Sequence, residues 1–215
     1  MDNIFEGGNQ IRDKFLYRKW KRIFDAVLSL ISLAVLSPVL LLTALAVYLD
    51  DPQGSPLFRQ YRVGKNGKLF VMYKFRTMIK GAEEMKRDMA AMNEMDGPVF
   101  KIKNDPRITR LGSFLRKTGL DELPQLINVL KGDMSLVGPR PPLPEETARY
   151  TEYQRRRLEV LPGITCTWQI LPDRNDILFK DWVEMDLEYI ENQSFLLDLE
   201  VILKTPGAMI HKDGR

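Results

Sequence analysis

The chain has 215 residues, with 32 basic and 29 acidic side chains but only one Cys and one His. Its length sets a single domain as the expectation. Lone Cys166 excludes an intramolecular disulfide framework, and with His211 the sole histidine, most zinc-site spacings and a Ser–His hydrolase are excluded too. A hydrophobic fraction of 44% and a mean hydropathy of -0.25 argue against a polytopic membrane protein.

These averages conceal a strong segregation of charge. Residues 1–80 carry 13 basic and 6 acidic side chains, whereas residues 171–200 carry 2 and 9. In chain order, residues 14–22 interleave Phe15, Tyr17 and Trp20 with Lys14, Arg18, Lys19, Lys21 and Arg22, a pattern suited to an interfacial helix on anionic lipid. Nucleic acid would also accept basic and aromatic residues, but the apolar run that follows makes lipid the expected partner and nucleic acid an unexpected one.

Residues 27–49 are 23 positions without a charge, bracketed by Asp25 and Asp50. As a helix they would reach about 34 Å, enough to enter a bilayer. A cleaved signal peptide fits poorly, because its apolar core would be shorter and begin earlier. A buried core helix is the bland alternative. Ser37-Pro38 stands at the centre, where proline removes a backbone donor and predicts a bend. Ser29, Ser32, Ser37 and Thr43 can satisfy freed backbone groups. Both flanks are basic, which favours keeping both on the cytoplasmic side, so a hairpin that re-enters fits better than a straight span, though a span stays open.

Next, residues 58–63 and 69–75 read as two strands around the turn Gly64-Lys65-Asn66-Gly67. Residues 78–95 carry a helical pattern with Met85, Met89 and Met92 on one face, expected to pack in the core, with a membrane-surface face as the alternative. Asn104-Asp105-Pro106 is a turn. Leu123, Leu126, Ile127 and Leu130 mark an amphipathic helix ending at Gly132. Residues 178–192 and 195–204 read as two further helices, stopped by Pro206-Gly207. The expected class is α+β: a membrane-associated helical domain with a re-entrant hairpin and a small sheet, residues 1–50 forming the membrane part and 51–215 the catalytic part.

Asp121-Glu122 precedes the amphipathic helix, with Pro124 in the first turn. Acids at a helix start often only complement its dipole. Here Arg107, Arg110, Arg116 and Lys117 lie upstream and Arg140 downstream, company that suits phosphate and a divalent metal. A solvated salt-bridge network is the plainer alternative.

These segments carry a resemblance. Lys21-Arg22-Ile23-Phe24-Asp25, Ser37-Pro38, Lys74-Phe75-Arg76-Thr77-Met78, Asp105 to Arg110, Leu115 to Gln125 and Gly132 to Pro141 occur in order, and together they resemble the bacterial sugar transferase family, the monotopic phosphoglycosyl transferases. The resemblance spans about Lys21 to Lys204 and is that of a small catalytic-core member, without the extra membrane helices of larger ones. It implies transfer of a sugar-1-phosphate from a UDP-sugar to polyprenyl (undecaprenyl) phosphate, releasing UMP, in a bacterial inner membrane with the catalytic part on the cytoplasmic face. It implies Asp121 as nucleophile, Glu122 as its partner and Mg²⁺ ligand, Arg116 as a phosphate-binding residue, and Pro139-Arg140-Pro141 as a uridine-binding element. Lys74, Arg76 and Asp186 match polar positions of the site, and Ser37-Pro38 matches the break of a re-entrant helix. Departures lie at Cys166, where the family pattern has Gly, and at Leu171-Pro172-Asp173-Arg174; the first withholds an easy positive φ and predicts a different local loop. The competing reading is a catalytically silent anchor that recruits glycosyltransferases, against which the intact Asp121, Glu122, Arg116 and Arg140 speak. A homodimer is compatible with the sequence but not required by it, and the sugar and glycan pathway are not encoded in any recognisable residue.

Overall fold

The charge-free run lies inside one long helix, α1 (Asn3–Asp50), which continues through Pro38. The computed structural model describes residues 3–89, 92–100, 102, 104–172, 174 and 176–210. Asp173 and His211 lie outside the described residues, as do the side chains of Lys14 and Phe15.

Within α1 the usual amphipathic order is reversed. Its polar residues Asp25, Ser29 and Thr43 face inward and are buried, while Leu30, Val35, Leu41, Leu42 and Leu49 face outward at 60 to 72% exposure. A helix facing water would place charge on that outer side. The segment Leu16–Asp50 has the length and composition to enter a bilayer. Pro38 cannot donate to the carbonyl of Ala34, and the Ser37 hydroxyl donates to that same carbonyl at 2.8 Å. The proline therefore leaves no carbonyl orphaned where water would be scarce.

Both halves of α1 pack on the rest of the chain. Phe24, Leu28 and Leu33 join the main core, and Leu40, Ala44 and Val47 join a second cluster with Phe75 and Leu115. Strands β1 (Leu57–Val63) and β2 (Leu69–Phe75) form an antiparallel hairpin in register from Leu57↔Phe75 to Val63↔Leu69. The turn between them uses a left-handed Asn66, as its Asn-Gly sequence allows.

Helix α2 (Ala82–Asp88) is shorter than the Met pattern predicts. Of that stripe only Met89 is buried; Met85 and Met92 are exposed, so core packing explains one residue of the three. Helix α3 (Arg110–Thr118) is capped by Thr109, whose hydroxyl accepts from the Gly112 N–H, and ends at left-handed Gly119. A 3₁₀ turn (Leu120–Gln125) leads directly into α4 (Leu126–Lys131), which closes on left-handed Gly132. The helical segment thus begins before Asp121-Glu122 rather than after it. Its buried face is Leu126, Asn128 and Val129, while Ile127 is exposed, because a 3₁₀ turn rotates the apolar stripe relative to a continuous α-helix.

Short strands β3 (Ser135–Val137) and β4 (Gly163–Thr165) pair in parallel, separated by helices α5 (Pro144–Thr147) and α6 (Glu152–Arg155). Helices α7 (Phe179–Glu191) and α8 (Phe195–Ile210) complete the fold. The latter runs past Pro206, where the sequence pattern stops it, and carries Met209 against Gly119 at the end of α3. Trp168 and Trp182 stack at 4.2 Å in a core shared with Met134, Val129, Phe179 and Val201.

Fully buried Asn128 joins α4 to the open edge of β2: its Nδ2 donates to the Val71 carbonyl at 2.7 Å and its Oδ1 accepts from the Tyr73 N–H at 3.1 Å. Asn128→Ala orphans both backbone groups in the core, at about 1–3 kcal/mol each. The variant is expected to unfold several degrees below wild type in detergent, measured by the thermal midpoint.

Candidate active site

Asp121 and Glu122 are adjacent residues of the 3₁₀ turn, held between Gly119 and α4 and lying across from β2. From β2, Lys74 Nζ meets Glu122 Oε1 at 2.5 Å. Burial pushes Glu122 up, but Lys74, with Arg140 and Arg174, outweighs it and holds the carboxyl below its usual range. Asp121 is only 6% exposed. Burial foremost, and the charge of Glu122, raise its carboxyl to about 6 against the pull of Lys74 and Arg116. One acid of the pair thus stays ionised while its neighbour sits near neutrality, the separation that lets two carboxyls take different roles.

Arg116, in the last turn of α3, donates from Nε to Thr77 Oγ1 at 2.9 Å. Burial lowers its pKa while Asp121 opposes that change, so the guanidinium is desolvated and electrostatically tied to the acid pair. Gly112 lets α3 lie this close, since a side chain there would overlap the Thr77 backbone.

Beside Glu122 opens a small cleft. Its lining includes Arg62, Lys74, Glu122, Gln125, Arg140 and Pro141. Asp121 adjoins this cleft through Glu122 but is not one of its lining residues.

The Pro139–Pro142 turn has three residues without an N–H, so its carbonyls must find donors elsewhere. All four do. Gly163 N–H donates to Pro139 at 3.0 Å and Val63 N–H to Pro142 at 2.9 Å. Arg62 Nη1 donates to Pro141 at 3.0 Å, and Arg157 Nη2 reaches Arg140 O at 3.4 Å. The backbones of Gly138 and Gly163 approach so closely that a Cβ on either would overlap the other segment. This rigid turn presents the Arg140 guanidinium, which takes no hydrogen bond or ion pair among the described residues, at the cleft.

Of the sequence candidates, Lys74, Glu122, Arg140 and Pro141 share the cleft, with Asp121 and Arg116 behind it. Asp186 lies deeper. It accepts from Arg157 Nε at 2.7 Å and Trp168 Nε1 at 3.2 Å, acting on the turn through Arg157 rather than lining the cleft. Arg76 is directed to α1, where it pairs with Asp51 at 2.8 Å and donates to the Asp51 carbonyl. Ser37 and Pro38 are exposed on α1, apart from this chemistry. Cys166 is buried with an ordinary negative φ, and burial first of all pushes its thiol well up, so it is an inert filler. Arg62, Arg157, Gln125 and Gln169 were missed by sequence reasoning. Arg62 breaks strand alternation, being buried next to buried Val63, and gives no periodic signal.

The family model described as bacterial sugar transferase matches residues 16–212. The chain belongs to the bacterial sugar transferase family. It is 43% identical over 206 residues to the galactosyl transferase CpsE of Streptococcus agalactiae, covering 94% of this chain and 45% of that protein. It is 42% identical over 201 residues to the undecaprenyl-phosphate galactose phosphotransferase of Salmonella typhimurium, covering 90% of this chain and 41% of that protein. Against the exopolysaccharide production protein ExoY of Sinorhizobium fredii it is 39% identical over 198 residues, covering 90% and 87%. The chain thus spans under half the length of the first two relatives and most of the third.

Asp121 binds its proton more tightly in the folded chain, near pH 6, than an ordinary aspartate does. The folded state therefore loses stability as pH rises from about 4 to 6. Asp121→Asn is expected to raise the thermal midpoint at pH 7 and to lose that advantage below about pH 4, measured without metal.

Proposed function

We propose that the chain transfers a sugar-1-phosphate from a UDP-sugar to polyprenyl (undecaprenyl) phosphate at the cytoplasmic face of a bacterial inner membrane. The observation that carries this reading is the Asp121-Glu122 pair, one carboxyl poised near neutrality and one held ionised, beside Lys74, Arg116 and Arg140. The names of the Salmonella and Streptococcus relatives support the lipid carrier and the sugar transfer.

In the first step an oxygen of the Asp121 carboxylate attacks the sugar-bearing phosphorus. The bond from that phosphorus to the bridging oxygen breaks, and UMP leaves with the electron pair. In the second step a phosphate oxygen of the lipid carrier attacks the same phosphorus and displaces Asp121, giving polyprenyl diphosphate sugar. Splitting the transfer lets a soluble donor and a lipid acceptor use one site in turn. Desolvation raises the ground-state energy of the Asp121 anion, and the neighbouring cations lower the charge barrier to its approach to a diphosphate. Incoming phosphate competes for Lys74, which loosens its hold on Glu122.

Two adjacent carboxyls suit Mg²⁺, which takes one or two carboxylates and completes its shell with phosphate oxygens and water. Glu122, a fifth exposed at its side chain and with Oε2 unbonded among the described residues, would hold it, with Asp121 the second available carboxylate. Bound there, the ion would neutralise charge on the transferring phosphoryl group.

We further propose that α1 is re-entrant. The outward apolar face, the basic flanks and the packing of both halves on one folded unit support this.

Purified protein with Mg²⁺, polyprenyl phosphate and a panel of UDP-sugars should release UMP, and Asp121→Asn should form no covalent phosphosugar adduct and lose turnover by at least about 10³-fold. Failure to release UMP with any donor in the panel would sink the reading. For topology, single cysteines at the two ends of residues 27–49 in a Cys166→Ala background should label from the same membrane face; labelling from opposite faces rejects the re-entrant helix.

A further inference from the structure

Gln125 is the most deeply buried polar side chain lining the cleft, at 2% exposure. Its amide makes no hydrogen bond among the described residues. Asn128, one turn later and equally buried, saturates its amide with β2, so the difference is not a general looseness of this segment. Neither amide atom is shut off from solvent, so the little surface that Gln125 keeps is polar and available to a ligand in the cleft. Gln125 stands three residues after Glu122 in a 3₁₀ turn, where side chains at that spacing eclipse, and both line the same opening.

The cleft also selects the chemistry of what would satisfy it. Arg62, Lys74 and Arg140 face it against the single carboxylate Glu122, an excess of positive charge that suits a phosphate-bearing ligand. Arg62 is already penalised by burial and then by the charge of Arg140. A further cation in the place of Gln125 would add to that repulsion, whereas a neutral N–H donor adds attraction for an anionic oxygen without it.

We infer that Gln125 is a substrate-contacting residue whose side-chain Nε2 donates to an oxygen of the donor's diphosphate group. The inference rests on the donor assignment proposed above and adds to it a residue that binds rather than reacts. The contact forms with the bound donor and persists through the first transfer step, so its removal weakens binding more than turnover.

Gln125→Met keeps length and volume while deleting both polar atoms. The full-length variant, in detergent or nanodiscs, is titrated with UDP, UMP and uridine beside wild type, and its thermal midpoint is measured without ligand. Expected are an unchanged or raised midpoint, a Kd for UDP raised about ten- to hundredfold, the worth of a hydrogen bond to a charged group, and an unchanged Kd for uridine. With the UDP-sugar that supports turnover, KM should rise with kcat little changed. A midpoint lowered by several degrees would show a structural role, and wild-type affinity for UDP would show no contact; either overturns the inference. An equal loss for uridine would place the contact on the nucleoside and overturn it as well. Wild-type protein that binds no uridine nucleotide would instead defeat the donor assignment itself, a result separate from any difference between the two proteins.

Discussion

Arg22 holds the height of the acid pair relative to the apolar helix. Its Nη1 and Nη2 donate to the carbonyls of Val129 and Leu130 at 2.6 and 2.8 Å. These belong to the last turn of α4, where the helix dipole favours a cation, and the Val129 carbonyl also accepts from the capping Gly132 N–H at 3.0 Å. Helix α4 has six residues, about 9 Å, and at its other end stands the turn that carries Asp121 and Glu122. A guanidinium fork thus joins the membrane segment to the proposed chemistry through one short rigid rod. The remaining polar anchors of α1 serve the same geometry. Ser135 donates to Asp25 at 2.6 Å, Tyr17 and Lys21 both reach Asp198 at 2.7 Å, and Arg76 grips the far end at Asp51. Polar anchors are needed because the outward face of α1 is apolar and exposed, which leaves the inward face to carry specificity.

The same logic, buried polar groups satisfied from fixed positions, organises the site. A proline-rich turn has few donors of its own, so Arg62, Arg157, Val63 and Gly163 hold its carbonyls. The backbone is immobilised while the Arg140 side chain stays available to a ligand. Asp186 contributes by orienting Arg157, which explains a buried acid at a distance from the cleft. The desolvation that pushes Asp121 up and the Lys74 contact that keeps Glu122 down come from two elements, the 3₁₀ turn and β2, brought together by the hairpin and by Asn128.

Much of this was legible in the chain itself. The hairpin appears where strand patterning and an Asn-Gly turn place it, and the ordered motifs around Asp121-Glu122 and Pro139-Arg140-Pro141 mark the residues that meet near one cleft. The failures have physical causes. Three Met at helical spacing imply a buried face only if the helix is long enough, and α2 stops at Asp88. Pro206 reads as a helix stop, yet the packing of Met209 on Gly119 accompanies a helix that continues past it. Arg76 belongs to the same motif as Lys74 and would share its face in a continuing strand, but β2 ends at Phe75, and Arg76, just past that end, is drawn to Asp51 instead.

Sequence alone determined that a charge-free segment of 23 residues adjoins a basic end, that one Cys and one His leave no intramolecular disulfide framework and exclude most zinc-site spacings, and that an acid pair lies among arginines. Composition and local spacing decide such things, since they depend on which groups are present and how near they lie along the chain. Tertiary structure alone decided which of two adjacent desolvated carboxyls is paired with Lys74 and held ionised. It also decided that Arg76 and Asp186 support rather than line the cleft, and that the Gln125 amide makes no hydrogen bond among the described residues. Burial and hydrogen-bond partnership are set by elements far apart in sequence, so no window along the chain contains them.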